Sequence, residues 1–147
     1  MQWLAAQGHD VLGVDRSEAA LALASAFGST VQADIENGPW PLTGQQFDAV
    51  VVTNYLWRPL WPRILESIAP DGLLIYETFA QGHETVGRPS RQDFLLAPGE
   101  LLQIAAQGGL RVVAYEDGFL SQPERFVQRL AAVRASASAT PRRWPLA

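Results

Sequence analysis

The stretch Phe47-Asp48-Ala49-Val50-Val51-Val52-Thr53 constrains the fold more than any other part of the chain. A continuous β-branched run reads as a strand buried on both faces, the habit of a central parallel strand. Parallel neighbours need crossover connections, so helices must flank it. Downstream, Leu60, Trp61, Ile64, Leu65 and Ile68 recur at helical spacing, with Pro62 tolerable in the first turn. Pro70-Asp71-Gly72 reads as a turn, Leu73–Phe79 as a strand, Glu100–Gln107 as a helix closed by Gly108-Gly109, and Leu110–Tyr115 as a strand. Upstream, Gln2–Gln7 reads as the last turns of a helix stopped at Gly8, and Val11–Asp15 as a strand. Ser17 is a good N-cap for a helix carrying Ala20, Leu23, Ala24 and Phe27, which Gly28 ends before a strand over Thr30–Asp34. This alternation predicts an α/β domain with a largely parallel sheet.

Between these elements, Glu36–Gln46 reads as loop, and Gln81–Pro98 as a long irregular segment of the kind that often carries function. Propensity favours helix over Phe126–Arg134, where Gln, Arg, Leu and Ala dominate. Residues 1–135 form the expected domain, and the Ser/Ala/Pro-rich residues 136–147 are expected to be a disordered tail.

Composition narrows the function classes. Charged residues make up 18% and the net charge is −4, with no basic stripe, so a nucleic-acid partner is not expected. The chain has no cysteine, which excludes disulfides and thiolate metal sites. His9 and His83 lack partners at ligand spacing, so no metal is expected. No segment reaches the roughly 18 apolar residues of a membrane span, and the N-terminus lacks a signal peptide's basic and apolar regions. A cytoplasmic protein is the expectation.

Asp15, at the end of a short apolar strand, has the placement of a carboxylate that accepts hydrogen bonds from two ribose hydroxyls in a nucleotide-binding α/β unit. A glycine-rich loop should precede it by about 20 residues. Only fourteen residues precede Asp15, and no G-x-G occurs anywhere. Asp15 also fits a plain turn-forming role in a βα loop. Asp34 likewise fits a turn cap before Asn37-Gly38.

GHDVLGVDRS, VQADIENGPWPL, FDAVVVTNYLWRPL, PDGLLIYETFAQGHETVGRPSRQDFLLAPGELL and RVVAYEDG occur in that order over about Trp3 to Arg134. In order and spacing they resemble the class I S-adenosylmethionine-dependent methyltransferases, in particular the small bacterial branch that includes tellurite-resistance methyltransferases. The resemblance implies a Rossmann-like sheet with strand order 3-2-1-4-5-7-6. It also implies that Phe126–Arg134 is the antiparallel last strand, against its helical propensity.

The resemblance further implies S-adenosylmethionine as cofactor. Asp15 would then hold the ribose hydroxyls, with Arg16 and Ser17 beside them. Asp34 would accept from the adenine amino group, with Ile35 against the ring. Asn54 and Tyr55 would line the face where methyl donor and acceptor meet. Arg58, Glu77 and Arg88 are candidates on the acceptor side, each with a surface role as the plain alternative. Methyl transfer from a sulfonium needs mainly positioning, so no catalytic residue is named. The acceptor is expected to be a small molecule.

The departure from the family is its first strand and glycine loop, so the domain is expected to be N-terminally truncated at the centre of its sheet. A longer protein with an upstream start, a decayed relic and a stable shortened protein all fit. The rival to an enzyme is a non-catalytic remnant or interaction module, self-associating through unpaired strand edges. A nicotinamide-dependent fold also uses an Asp after its second strand, but it does not account for the Asp34 region or for VVVTNYLWRPL.

Overall fold

Residues 1–136 are described by a computed structural model. The expected tail lies, from residue 137 on, outside the described residues. The chain divides into two units, Met1–Thr43 and the part from Gly44 onward, each described by itself.

In the first unit, helix α1 spans Gln2–Ala6 and strand β1 Leu12–Asp15. Helix α2, Glu18–Ala24, runs on into a 3-10 turn over Ser25–Phe27, and strand β2 spans Ser29–Gln32. Ser17 caps α2 as its residue type predicts: its hydroxyl accepts the Ala20 N–H at 3.2 Å. β1 and β2 pair in parallel, from Leu12↔Ser29 to Asp15↔Gln32. The buried side of α2 is set by Leu21, while Leu23 is 78% exposed. The expected apolar face of that helix is therefore rotated, because 200° of helical turn separates Leu23 from Leu21.

In the second unit, β3 spans Phe47–Thr53, as expected. A 3-10 turn over Arg58–Leu60 leads into α3, Trp61–Glu66. Strand β4 spans Ile68–Phe79, α4 Glu100–Gln107, β5 Arg111–Ser121 and β6 Glu124–Val133. Ile68 thus belongs to a strand rather than to the helix. The Pro70-Asp71-Gly72 turn is instead a bulge within β4, where the register jumps from Phe47↔Ile68 to Ala49↔Leu73 and Asp71 takes a left-handed φ of 60°.

The strand orders are β1–β2 and β3–β4–β6–β5. Each matches a run of the order the resemblance implies, 3-2 in the first unit and 4-5-7-6 in the second. β3 and β4 are parallel, whereas β6 runs antiparallel to both β4 and β5. Phe126–Arg134 is therefore strand, not helix. Tertiary pairing overrides propensity there, because β6 lies between two partners and buries Val127, Gln128, Leu130 and Ala132.

One face of this sheet carries Leu74, Tyr76 and Thr78 from β4, opposite Ala132, Leu130 and Gln128 from β6. All six are at most 3% exposed, and Trp61 of α3 packs on Tyr76 with ring centroids 4.8 Å apart. Leu101, Ile104 and Ala105 of α4 are buried as well. The opposite face is more open: Val51 and Ile75, paired in register, are 42% and 37% exposed. The expectation that β3 is central and buried on both faces is therefore corrected. Among the described residues it pairs on one side only, and its outer edge has no strand partner.

Arg134, just past β6, ties the unit together. Its guanidinium donates to the carbonyls of Leu65 at 2.8 Å, Ile68 at 3.1 Å and Gly108 at 3.4 Å. Leu65 and Gly108 lie at the C-terminal ends of α3 and α4, where carbonyls lack helical donors.

Candidate functional site

In the first unit, parallel pairing brings the ends of β1 and β2 together. The Ala33 N–H donates to the Asp15 carbonyl at 3.0 Å, and the Gln32 side chain to the Arg16 carbonyl at 3.2 Å. Asp15, Arg16, Ser17, Asp34 and Ile35 therefore gather at the carboxyl end of this strand pair, where open α/β sheets bind ligands. Asp15 is exposed and accepts the Ser17 N–H on Oδ1 at 2.8 Å. Asp34 is more heavily engaged. Oδ1 takes the N–H groups of Glu36 and Asn37, and Oδ2 takes the Asn37 side-chain amide at 2.9 Å. The Asn37 side chain, then the Asn37 and Glu36 N–H groups, hold its carboxyl below the ordinary value. Asp34 thus caps its own turn, whatever else it does.

The second unit gathers Asn54, Tyr55 and Glu77. Asn54 follows β3 with a left-handed φ of 52°, and its N–H donates to the Glu77 carbonyl at 2.9 Å. Asn is among the few non-glycine residues that tolerate this conformation. Tyr55 is fixed by its carbonyl, which accepts the Tyr76 hydroxyl at 2.7 Å. Burial raises the Tyr76 hydroxyl well above its ordinary pKa, so it stays protonated and remains a donor.

Of the acceptor-side candidates, Arg58 and Glu77 engage protein partners with their side chains. Arg58 donates Nε to Glu100 Oε1 at 2.7 Å and Nη2 to Oε2 at 2.9 Å, with further bonds to the Asp93 and Leu95 carbonyls. Glu77 faces Arg129 at 2.6 Å and Arg125 at 3.4 Å, and Arg129 also reaches Glu116 at 3.2 Å. Register sets this ladder, since Glu77, Arg129 and Glu116 are opposite one another across β4, β6 and β5. Arg88 is exposed, and its carbonyl accepts the buried His83 ring Nε2–H at 3.0 Å. His83 also stacks on Phe79 with ring centroids 4.3 Å apart. Among the described residues, no cluster of three His, Cys, Asp or Glu could hold a metal, and no helix is long and apolar enough to cross a membrane.

Tyr76, Glu100 and Gln128 escaped the sequence reading. For Glu100 a signal was present: Pro98-Gly99-Glu100 opens a helix and puts a carboxylate in its first turn. Tyr76 and Gln128 have no local signature.

The model of the family described as methyltransferase domain matches residues 1–73, the whole first unit and the start of the second. Solved structures agree over most of the chain. TehB from Haemophilus influenzae superposes with a TM-score of 0.71 at 18% identity over 90% of this chain and 52% of its own. This is a class I methyltransferase fold. A SAM-dependent methyltransferase from Methanosarcina mazei gives a TM-score of 0.67 at 14% identity over 90% of this chain and 85% of its own. One from Mesorhizobium loti gives 0.63 at 16% identity over 85% and 80%. The methyltransferase-fold chain spans about half the length of TehB. No curated protein sequence matches it.

Proposed function

We propose that this chain binds S-adenosylmethionine and supports methyl transfer to a small-molecule acceptor. The observation that carries the reading is the meeting of Asp15 and Asp34 at the carboxyl ends of adjacent parallel strands, inside the stretch matched as a methyltransferase domain. These residues fit the adenosine half of the cofactor. Asp15 is exposed and its bond to the Ser17 N–H uses Oδ1, so Oδ2 can take ribose hydroxyls. Asp34 accepts three N–H groups, and a carboxylate has about four lone-pair sites, which leaves one for the adenine amino group. Ile35 supplies an apolar contact for the ring. The bound cofactor supplies an activated methyl group. The chain's own contribution is to hold the nucleoside and to set the Asn54–Tyr55 backbone.

Calorimetric titration of the chain with S-adenosylmethionine and S-adenosylhomocysteine tests this. Micromolar binding that Asp15→Ala weakens is the expected result. A folded chain that binds neither ligand refutes it.

One observation favours a second reading, an interaction module that self-associates through strand edges. Among the described residues, β3 has no strand partner on its outer edge and neither Pro nor Lys to protect it, and it carries the exposed Val51 of the Val51–Ile75 pair. Sedimentation over a range of concentrations tests it, and a chain monomeric throughout rules it out.

A further inference from the structure

The segment that follows β3 is held at three points, two of them by side chains the sequence reading did not single out, Tyr76 and Glu100. At its start, the Asn54 N–H bonds to the Glu77 carbonyl at 2.9 Å. One residue on, Tyr55 is held through its carbonyl by the Tyr76 hydroxyl at 2.7 Å, from a side chain only 1% exposed. Three residues further, the Arg58 guanidinium spans two partners at once. It grips both Glu100 oxygens and the carbonyls of Asp93 and Leu95. Glu100 in turn accepts the Ala97 N–H on Oε2 at 2.8 Å. The 93–97 segment is itself fastened to the end of β4, since the Leu96 N–H donates to the Phe79 carbonyl and the Gln81 N–H to the Leu96 carbonyl. Its own Leu95 and Leu96 are fully buried.

We infer that Tyr76, Arg58 and Glu100 are positioning residues that join the segment 54–58 to the segment 93–97, so that the two loops beyond the carboxyl ends of β3 and β4 behave as one rigid piece. Beyond single 3-10 turns at Arg58–Leu60 and Gln92–Phe94 and a one-residue bridge from Ala80 to Leu96, neither loop has regular structure of its own. Besides those backbone bonds, side chains reach them from β4, α4 and β6: Tyr76 to Tyr55, Glu100 to Arg58 and Ala97, and Gln128 to Ala97. A planar guanidinium suits this task because its fork can serve a carboxylate and two carbonyls in fixed directions, which an ammonium cannot. The effect on ligands rests on the methyl-transfer reading above, through Asn54 and Tyr55; the coupling itself does not.

Amide hydrogen exchange on the full chain decides the matter, using Tyr76→Phe, Glu100→Gln and the double variant. The Leu130 and Ala132 amides of β6 serve as the reference for global opening. Coupling requires cross-effects. Tyr76→Phe, whose lost hydrogen bond is to Tyr55 and not to 93–97, should raise exchange at the Leu95 and Ala97 amides about tenfold, the change expected for one lost hydrogen bond. Glu100→Gln should do the same at Asn54 and Leu60. The double variant should exchange no faster than the faster single one. If each substitution loosens only its own segment, or if the effects add, there are two independent struts and the inference falls. If Glu100→Gln does not fold, the Tyr76→Phe cross-effect alone decides. Titration with S-adenosylhomocysteine adds a readout that a mere packing role would not move. Both variants should weaken binding by a similar factor, and no further when combined. A wild-type chain that binds no ligand overturns the methyl-transfer reading, while the exchange result still decides the coupling.

Discussion

The Gln128 side-chain oxygen accepts the Leu101 N–H at 3.3 Å, so a residue in the middle of a strand caps the start of a helix. The same amide donates to the Ala97 carbonyl at 2.6 Å, and the residue is fully buried. Gln128→Leu keeps the size and leaves both backbone groups without this partner inside the core. We expect a loss of about 2 kcal/mol, read as a lower urea midpoint with an unchanged slope. A midpoint within error of wild type would show that the first turn of α4 finds other partners.

The Arg58–Glu100 pair should make stability depend on acid. Burial pushes the Glu100 carboxyl up, but hydrogen bonds from Arg58 and from the Ala97 N–H, together with the Arg58 charge, outweigh it, and the net value lies below the ordinary 4.5. A folded-state value below the unfolded one contributes stability that is present above the unfolded value and lost as pH falls through the folded value. The wild-type midpoint should therefore drop as the pH is lowered from the ordinary 4.5 through the folded-state value. Glu100→Gln should be less stable at neutral pH and fall less over that interval. Equal acid slopes would count against the pair as the cause.

Ser17→Ala removes the α2 cap and should cost the first unit about 1 kcal/mol. The Ala20 amide, which donates to the Ser17 hydroxyl, should lose exchange protection first. Unaltered protection there would mean that the cap does not hold the helix.

Val51→Lys places a charge on the open face beside the unpaired edge of β3. Val51 is 42% exposed, so the folded chain should change by no more than about 0.5 kcal/mol. Any concentration-dependent association through that edge should disappear. Association that survives the charge would have to use another surface.

Much of the architecture was legible locally. Phe47–Thr53 and Glu100–Gln107 have the bounds that their residue patterns suggest. β6 was legible only through the resemblance, because its pairing partners, not its residues' intrinsic preferences, make it a strand. The exposure of β3 was not legible: a β-branched run records a preference for burial, not the presence of neighbours. The acceptor-side candidates show the same limit. Arg58 meets Glu100 across 42 residues and Glu77 meets Arg129 across 52. A charge in a sequence does not say which distant strand or helix will neutralise it. Asp15 and Asp34 needed less, since parallel pairing of two neighbouring strands suffices to bring their ends together.

Arg134 imposes an order of events during synthesis. The carbonyls it satisfies, at Leu65 and Gly108, are made long before it. β4 waits for β6 to gain its second neighbour, and β5 waits for β6 to gain any. A nascent chain whose residues 44–120 have left the ribosome therefore holds two short helices and half a sheet, with the latch still unmade. The second unit cannot mature in stages from its N-terminal side; it closes when its last strand and the arginine behind it emerge.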